Sequence, residues 1–254
     1  MSSLPPEGAR FALGRPGGET DPHVRHFVSS LPPKGARFAL GRPGGETMSY
    51  LPTGTVYGVL LNFRAEVEAL APQMNQPPYK APPKAPVLYV KTANTWSPHG
   101  SAITVPAQVD AVEVGATVAM VIGVDNDVEG FVLMNDLSIP HASFFRPPVK
   151  FKCVDGFLGI GAAMRDAQEV ADPAQFRLEV RINGELKQSI DFSQTVRSAE
   201  QLLADVGEFM TLAHGEVLML GCDAGRPLAR PGDRIEISAP GFETLVNTLV
   251  KEQA

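Results

Sequence analysis

Apolar residues along most of the chain either alternate with polar ones or form short unbroken runs, which are the two patterns of β-strands. Such segments are separated by turn-forming Gly, Pro, Asn and Asp. The pattern predicts strands at Thr55–Leu61, Val87–Lys91, Thr117–Gly123, Gly130–Met134, Phe176–Asn183, Lys187–Phe192, Glu216–Leu220 and Arg234–Ser238. Asn183-Gly184 suits a type I′ turn, because both central residues of that turn need positive φ, so we expect a hairpin there.

Helical spacing occurs in only two places. Ser198–Met210 starts with a Ser N-cap and repeats apolar residues at Leu202, Leu203, Val206 and Phe209. A shorter helix follows the first strand, with Phe63, Val67 and Leu70 on one side. Pro77–Pro86 carries five prolines in ten residues and must be an extended loop. Many strands and few helices predict a β-rich α+β domain, either a sandwich or a roll.

The first 47 residues contain a near-perfect duplication. Ser2–Thr20 recurs as Ser29–Thr47, identical at 18 of 19 positions, with a period of 27 residues. The copies are rich in Pro, Gly and Arg and lack an apolar face that could stack, so we interpret residues 1–47 as a disordered leader. The purine-rich codons that Gly-Gly-Glu-Thr implies suggest that translation starts at Met48, and residues 48–254 are the expected domain.

Composition excludes several classes of function. The net charge of −6 and the pI of about 5.4 are not those of a protein that binds nucleic acid. Two cysteines are too few for a disulfide framework, which favours a reducing cytoplasm. Neither a signal peptide nor an apolar run of about 20 residues is visible in the sequence, so we expect a cytoplasmic protein without a membrane anchor.

The segment from Asn135 to Gly161 concentrates the candidate chemistry. Asp136 follows an apolar run, which places it at the end of a strand, where functional residues often lie; the alternative is an Asx turn. Lys152 lies between Phe151 and Cys153, an apolar setting for an acid, a base or an electrostatic clamp; the alternative is a lysine on a loop that faces solvent.

Three further cations could bind substrate carboxylates together, namely Arg64, Arg146 and Lys150, although each alone is more often a surface residue. The remaining candidates are weaker. The sequence does not identify an acid or base that would act with His141, so we interpret it as a loop histidine, and His99 and His214 lie beside glycines in apparent turns. Cys222 is more simply a small buried residue than a nucleophile.

Several motifs in the order VYGVLLNFR, PYKAPPKAPVLYVKTANTW, GATVAMVIG and NDLSIPHASFFRPPVKFKCVDGFLGIG resemble the fumarylacetoacetate hydrolase superfamily over essentially all of residues 48–254. The resemblance implies a mixed β-sandwich or roll with few short helices. It also implies chemistry in which Mg²⁺ or Mn²⁺, held by a Glu-x-Glu pair and an Asp, chelates a 2-oxo acid and stabilises an enolate. The superfamily's Asp falls on Asp136 and its active-site lysine falls on Lys152.

This sequence departs from the superfamily pattern at the other metal ligands. The two glutamate positions fall on Gly115 and Thr117, so Asp136 would be the lone remnant of the metal site. The superfamily's lid histidine and its partner glutamate fall on Glu66 and Ala69. The Thr-Gly-Thr-Pro loop that binds a substrate carboxylate is replaced by the four residues Leu220 to Asp223.

The resemblance therefore implies a decarboxylase or isomerase subunit acting on a small anionic 2-oxo or 2-hydroxy di- or tricarboxylate. The expected Mg²⁺ or Mn²⁺ would be bound by a homologous second subunit with an intact metal site rather than by this chain, and a homo-oligomer is also compatible. The alternatives are a non-catalytic scaffolding or binding protein of the same fold and a stand-alone acylpyruvate hydrolase.

We predict that residues 1–47 contribute nothing to the stability of the domain. A chain that begins at Met48 should melt within about 2 °C of the full chain in differential scanning calorimetry, because a segment that buries no apolar surface adds no free energy of unfolding. A large fall in melting temperature on truncation would contradict this prediction.

Overall fold

The computed structural model describes residues 49–141 and 148–253, and within them strands dominate. The described strands are β1 (Val56–Leu60), β2 (Val87–Lys91), β3 (Trp96–Pro98), β4 (Ala102–Val105), β5 (Val112–Glu113), β6 (Ala116–Ile122), β7 (Val128–Asp136), β8 (Leu158–Ile160), β9 (Arg165–Asp166), β10 (Arg177–Ile182), β11 (Glu185–Asp191), β12 (Val217–Met219), β13 (Leu228–Ala229), β14 (Arg234–Ser238) and β15 (Leu245–Lys251). The α-helices are α1 (Arg64–Met74), α2 (Val149–Lys152) and α3 (Ala199–Gly207).

The larger sheet has eight strands in the order β2-β1-β12-β6-β7-β8-β3, with β9 added beside β7. It is mixed, since β1 pairs with β12 and β3 pairs with β8 in parallel while the other pairs are antiparallel. Its two edge strands, β2 and β3, are consecutive in the chain and are joined by residues 92–95 alone. This short connection requires the sheet to curl until its edges approach each other.

The smaller sheet has five strands in the order β11-β10-β14-β15-β4, and a two-stranded ribbon pairs β13 with β5. Every residue of β6 is buried, and its side chains alternate between two apolar clusters. Val118, Met120 and Ile122 share the main core with the inward side chains of β10 and β14, whereas Ala119 and Val121 belong to the second cluster. The larger sheet is therefore apolar on both faces, which explains the unbroken apolar run in this strand.

All eight predicted strands are present, with ends that differ by at most two residues. The Asn-Gly hairpin is confirmed, because Asn183 and Gly184 have φ values of 53° and 82° between the antiparallel strands β10 and β11. The seven strands that the pattern did not predict are mostly two to four residues long, too short for a period to be recognised. The β-rich α+β architecture with few short helices is confirmed.

The helix predicted at Ser198–Met210 is confirmed as α3, with one correction. Ser198 caps α3 by accepting a hydrogen bond from the backbone N–H of Gln201, and Leu202 and Val206 are fully buried. Phe209 was expected on the buried face but is 59% exposed, because α3 ends at Gly207, before this residue. The described helices include none that is both long and apolar enough to cross a membrane.

The left-handed backbone conformation at the two-residue turn of the hairpin can be tested by substituting its glycine. Gly184→Ala should lower the free energy of unfolding by about 1–2 kcal/mol, because Gly184 has φ +82° and a Cβ there meets no atom, so the cost is conformational alone. Gly207→Ala is the matched control. Its Cβ also meets no atom, but Gly207 is helical, so this change should be neutral or stabilising in urea unfolding. Equal effects of the two changes would contradict the assignment of the turn.

Candidate functional site

Asp136 is the last residue of β7 and is only 1% exposed. Its backbone N–H bonds to the carbonyl of Gly115, the residue before β6, which fixes the end of the strand. A carboxylate at this depth needs charged or hydrogen-bonding partners, because unpaired burial of a charge is expensive. Asp136 finds three such partners, so the Asx-turn alternative does not describe its side chain.

Two of the three partners come from β2. Tyr89 and Lys91 are two residues apart and therefore point to the same side of the strand. The Tyr89 hydroxyl donates a hydrogen bond of 2.5 Å to Asp136 Oδ2, and Lys91 Nζ lies 2.9 Å from Asp136 Oδ1. Both residues are buried, so β2 supplies Asp136 with a hydrogen bond from a phenol hydroxyl and with an ion pair, both away from solvent.

The three N–H groups of the Lys91 ammonium all have hydrogen-bond acceptors. It donates hydrogen bonds to the backbone carbonyls of Leu137 at 3.2 Å, of Phe157 at 2.7 Å and of Lys152. The three N–H groups thus point to carbonyls, and Lys91 balances the charge of Asp136 Oδ1 without a hydrogen bond to it. Lys91 is consequently a structural cation that ties β2 to β7, α2 and the start of β8.

The third partner of Asp136 is Lys152, the last residue of α2. Its ammonium donates to Asp136 Oδ2 at 2.5 Å and lies 4.6 Å from the centroid of the Tyr89 ring. The side chain is 1% exposed. Lys152 was predicted to lie in an apolar setting or on a solvent-facing loop, and the structure buries it on a helix of four residues.

These contacts control the protonation of the cluster. Burial alone would raise the pKa of Asp136, but Lys152 and then Lys91 outweigh it and hold that pKa well below the usual range. Burial and the negative charge of Asp136 raise the pKa of Tyr89 well above its ordinary value, so Tyr89 stays a hydrogen-bond donor. Because the pKa of Asp136 is lowered on folding, the stability it contributes is present above about pH 4 and is lost as the pH falls further.

A second buried ion pair lies close to the first. Glu66 on α1 accepts hydrogen bonds from the guanidinium of Arg226 at 2.6 Å and from the backbone N–H of Leu61 at 2.6 Å. Burial raises the pKa of Glu66, opposed first by Arg226. Arg226 also approaches Glu113 at 3.9 Å. Within α1 only Glu66 and Met74 are buried, so this pair is a main attachment of the helix to the domain.

The two ion pairs form one charge-balanced cluster. Its three carboxylates and three cations cancel formally, and they are Glu66, Glu113 and Asp136 with Lys91, Lys152 and Arg226. The two pairs lie within electrostatic range of each other, since Lys152 influences the pKa of Glu66.

Gly115 and Thr117 border this cluster. A Cβ at Gly115 would lie 2.4 Å from the backbone oxygen of Asp136 and 3.1 Å from Cys222 Sγ, so the backbone here has no room for a side chain. The Thr117 hydroxyl is buried and donates to the Gly221 carbonyl at 2.6 Å. Cys222 is 3% exposed, and burial raises the pKa of its thiol to about 12, as suits a small buried residue. Among the residues the structure describes, no three His, Cys, Asp or Glu side chains are arranged to hold a metal ion.

Of the predicted site residues, the structure brings Asp136 and Lys152 into direct contact. Arg64 and Lys150 are exposed at the starts of α1 and α2 and take no part in the buried cluster. Arg146 lies outside the described residues. The ring of His141 stacks on Phe151 at 4.6 Å, and its Nδ1 lies 2.9 Å from the Ile139 carbonyl, so it is held within its loop.

Sequence reasoning did not single out Tyr89, Lys91 or Arg226. A signal for Lys91 existed, because it shares the buried side of β2 with Tyr89, and an ionisable residue at a buried strand position needs a partner. Arg226 lies in the irregular segment between β12 and β13, where no periodicity indicates burial.

Comparison with known proteins identifies the family. Residues 55–250 match the model of the fumarylacetoacetate (FAA) hydrolase C-terminal domain. The chain is 37% identical over 209 residues to the 4-hydroxyphenylacetate degradation bifunctional isomerase/decarboxylase of Salmonella dublin, and 36% identical over 210 residues to that of Escherichia coli. These alignments cover 78% and 79% of this chain but 48% of each relative, so the chain spans about half the length of the curated relatives it matches.

Solved structures agree on the fold. The 2-hydroxyhepta-2,4-diene-1,7-dioate isomerase of Mycobacterium marinum is 23% identical with a TM-score of 0.66, over 81% of this chain and 78% of that one. Fumarylpyruvate hydrolase of Pseudomonas aeruginosa, solved with Mn²⁺ and pyruvate, is 21% identical with a TM-score of 0.66, over 78% and 90% of the two chains. The chain belongs to the fumarylacetoacetate hydrolase family.

Proposed function

We propose that this chain is a subunit of the 4-hydroxyphenylacetate (homoprotocatechuate) degradation enzyme that decarboxylates 5-oxopent-3-ene-1,2,5-tricarboxylate and isomerises 2-hydroxyhepta-2,4-diene-1,7-dioate. The identity of 36–37% to bifunctional isomerase/decarboxylases supports this assignment. The match to half of those longer proteins supports a second, homologous unit that works beside this one. In this arrangement the second unit holds the metal and this chain completes the assembly.

The observation that carries the proposal is the pairing of Asp136. In metal-dependent members of the family an aspartate at this position would bind the cation. Here Lys152 and Tyr89 contact one carboxylate oxygen, and Lys91 lies against the other. A dication at Asp136 would have to approach two ammonium groups within about 3 Å of the same carboxylate, where like charges repel strongly.

The residues present do not fit Mg²⁺ or Mn²⁺. A hard cation takes six or more oxygen ligands, with carboxylates foremost. Gly115 offers no side chain and Thr117 uses its hydroxyl on the Gly221 carbonyl. The described cluster also balances its own charge, which removes the negative potential that attracts a dication. In the proposed function, the residues of this chain therefore act without a metal bound to them.

Lys152 is the residue of this chain that is best suited to meet a substrate. Its ammonium is held at a fixed position by Asp136 and packs against the Tyr89 ring. A fixed, desolvated positive charge stabilises negative charge that develops on a nearby oxygen, such as an enolate. Arg64, Arg146 and Lys150 are proposed as weaker aids that attract the anionic substrate.

A second candidate is a scaffolding or binding protein of the same fold without catalysis. The charge-balanced cluster favours it, because such a cluster is self-sufficient as a structural core. A neighbouring gene encoding a homologue with both glutamates intact would favour the enzyme subunit, and its absence would favour the scaffold. A stand-alone acylpyruvate hydrolase is weaker than both, since it too needs the metal.

The purified chain should show no stoichiometric site for Mg²⁺ or Mn²⁺ tighter than about 1 mM in isothermal titration calorimetry, because Asp136 is already neutralised by two lysines. Asp110→Asn, at an exposed acidic residue, is the control for weak surface binding. Micromolar one-to-one binding that survives Asp110→Asn but is abolished by Asp136→Asn would overturn the prediction.

The isolated chain should be nearly inactive towards the dienedioate, and activity should appear when it is co-expressed with a metal-competent homologous partner. A site without its metal loses several kcal/mol of enolate stabilisation, or about three decades of rate. Ultraviolet absorbance of the dienedioate follows the reaction for this chain, the partner and both together.

Within the complex, Lys152→Ala should lower the rate, while Lys251→Ala, at an exposed lysine of β15, should leave it unchanged. Asp136 keeps Lys91 and Tyr89 in the Lys152 variant, so its charge is still compensated. Metal-stimulated turnover by the isolated chain would refute the subunit proposal. An unchanged rate with Lys152→Ala would leave this chain a scaffolding role alone.

A further inference from the structure

A cavity of about 450 Å³ lies between β2 and α2, beside the Asp136 cluster. Its walls are largely aliphatic and include Leu60, Val87, Leu88 and Val149. A volume of this size is in the range of pockets that bind small organic molecules.

The polar side chains on the described cavity wall, apart from one, already have partners inside the protein. Tyr89 donates its hydroxyl hydrogen to Asp136, Thr92 Oγ1 bonds to the side chain of Asn94, and the Cys153 thiol lies 3.1 Å from the Val90 carbonyl. A ligand in the cavity would find little hydrogen-bonding capacity in these groups.

Lys152 is the exception and carries the only formal charge on the described lining. Its ammonium has three N–H groups, and among the described residues its hydrogen-bond acceptor is Asp136 Oδ2 alone. The same ammonium lies over the Tyr89 ring, which also lines the cavity. A buried cation with unused donors beside an apolar cavity is complementary to one anionic group attached to an apolar body.

We propose that this chain binds, without a metal, an apolar monocarboxylate whose carboxylate contacts Lys152 and whose alkyl or aryl part fills the cavity. A second carboxylate on the ligand would meet no further cation on the described wall, so this chain alone should bind a monocarboxylate more tightly than a di- or tricarboxylate. The inference concerns binding by this chain alone and does not depend on turnover or on the partner.

Three matched probes test the proposal on the full chain in the presence of EDTA. They share one aryl body and differ in charge: 3-phenylpropanoate, its neutral amide, and benzylmalonate, which adds a second carboxylate at the same end. Calorimetry should show one-to-one binding of 3-phenylpropanoate at least about tenfold tighter than of the amide or of benzylmalonate.

The two cysteines supply an independent readout. Cys153 lines the cavity and is partly exposed, whereas Cys222 is buried. Bound 3-phenylpropanoate should slow alkylation of Cys153 by iodoacetamide, as followed by mass spectrometry, and benzylmalonate should not at the same concentration. Cys222 serves as the internal control, since its labelling reports unfolding.

Two variants locate the ligand. Lys152→Met should abolish the preference for the carboxylate over the amide. If that variant does not fold, Val149→Asp tests the location of the ligand instead, because Val149 lines the cavity and is 60% exposed on α2. A negative charge there should weaken 3-phenylpropanoate binding at least about fivefold. Val149→Asn is the isosteric neutral control and should stay within about twofold of the unaltered chain.

The proposal is refuted by the absence of 3-phenylpropanoate binding, by equal affinity for acid and amide, by equal or tighter binding of benzylmalonate, or by equal effects of Val149→Asp and Val149→Asn. These outcomes are measured on this chain alone and without turnover, so they are distinguishable from the turnover assays of the proposed function. Failure of the proposed function would likewise leave the binding results standing.

Discussion

The pairing of one buried aspartate with two buried lysines is the interaction on which the rest of the site depends. Asp136, Lys91 and Lys152 are each 1% exposed and come from β7, β2 and α2. Breaking such a buried pair by removing one partner typically costs about 3–5 kcal/mol, because the remaining charge has no compensation. Asp136 is the shared counter-ion of both lysines, so its loss would leave two buried ammonium groups without compensation, which makes these three elements one cooperative unit.

This pairing also explains how the curled sheet is held. The edge strands β2 and β3 are consecutive. Lys91 at the end of β2 donates to the carbonyls of Leu137, directly after β7, of Lys152, the last residue of α2, and of Phe157, directly before β8. A single ammonium thus bridges one edge of the eight-stranded sheet to strands near its other edge. The same atoms close the sheet and neutralise Asp136, so fold and candidate chemistry share one set of contacts.

The sequence predicted what local periodicity and turn chemistry determine. Residues adjacent in the chain were enough to predict the eight main strands, the Asn183-Gly184 hairpin and the Ser198 cap. The family resemblance, which the match over residues 55–250 confirms, singled out Asp136 and Lys152 as candidates. The pairing of Lys91 with Asp136 and of Arg226 with Glu66 could not be predicted from local pattern, because these residues lie 45 and 160 positions apart in the chain. The exposure of Phe209 depends on where α3 stops, which is a tertiary effect.

In the proposed function, Lys91 and Lys152 balance the charge of Asp136 without a divalent cation. The most direct measurement is a crystal structure of the chain soaked in Mn²⁺, with anomalous scattering recorded to locate the metal. We expect both lysine ammoniums to remain beside Asp136 with no anomalous peak there. A peak about 2.1 Å from an Asp136 oxygen, with Lys152 displaced, would contradict the account.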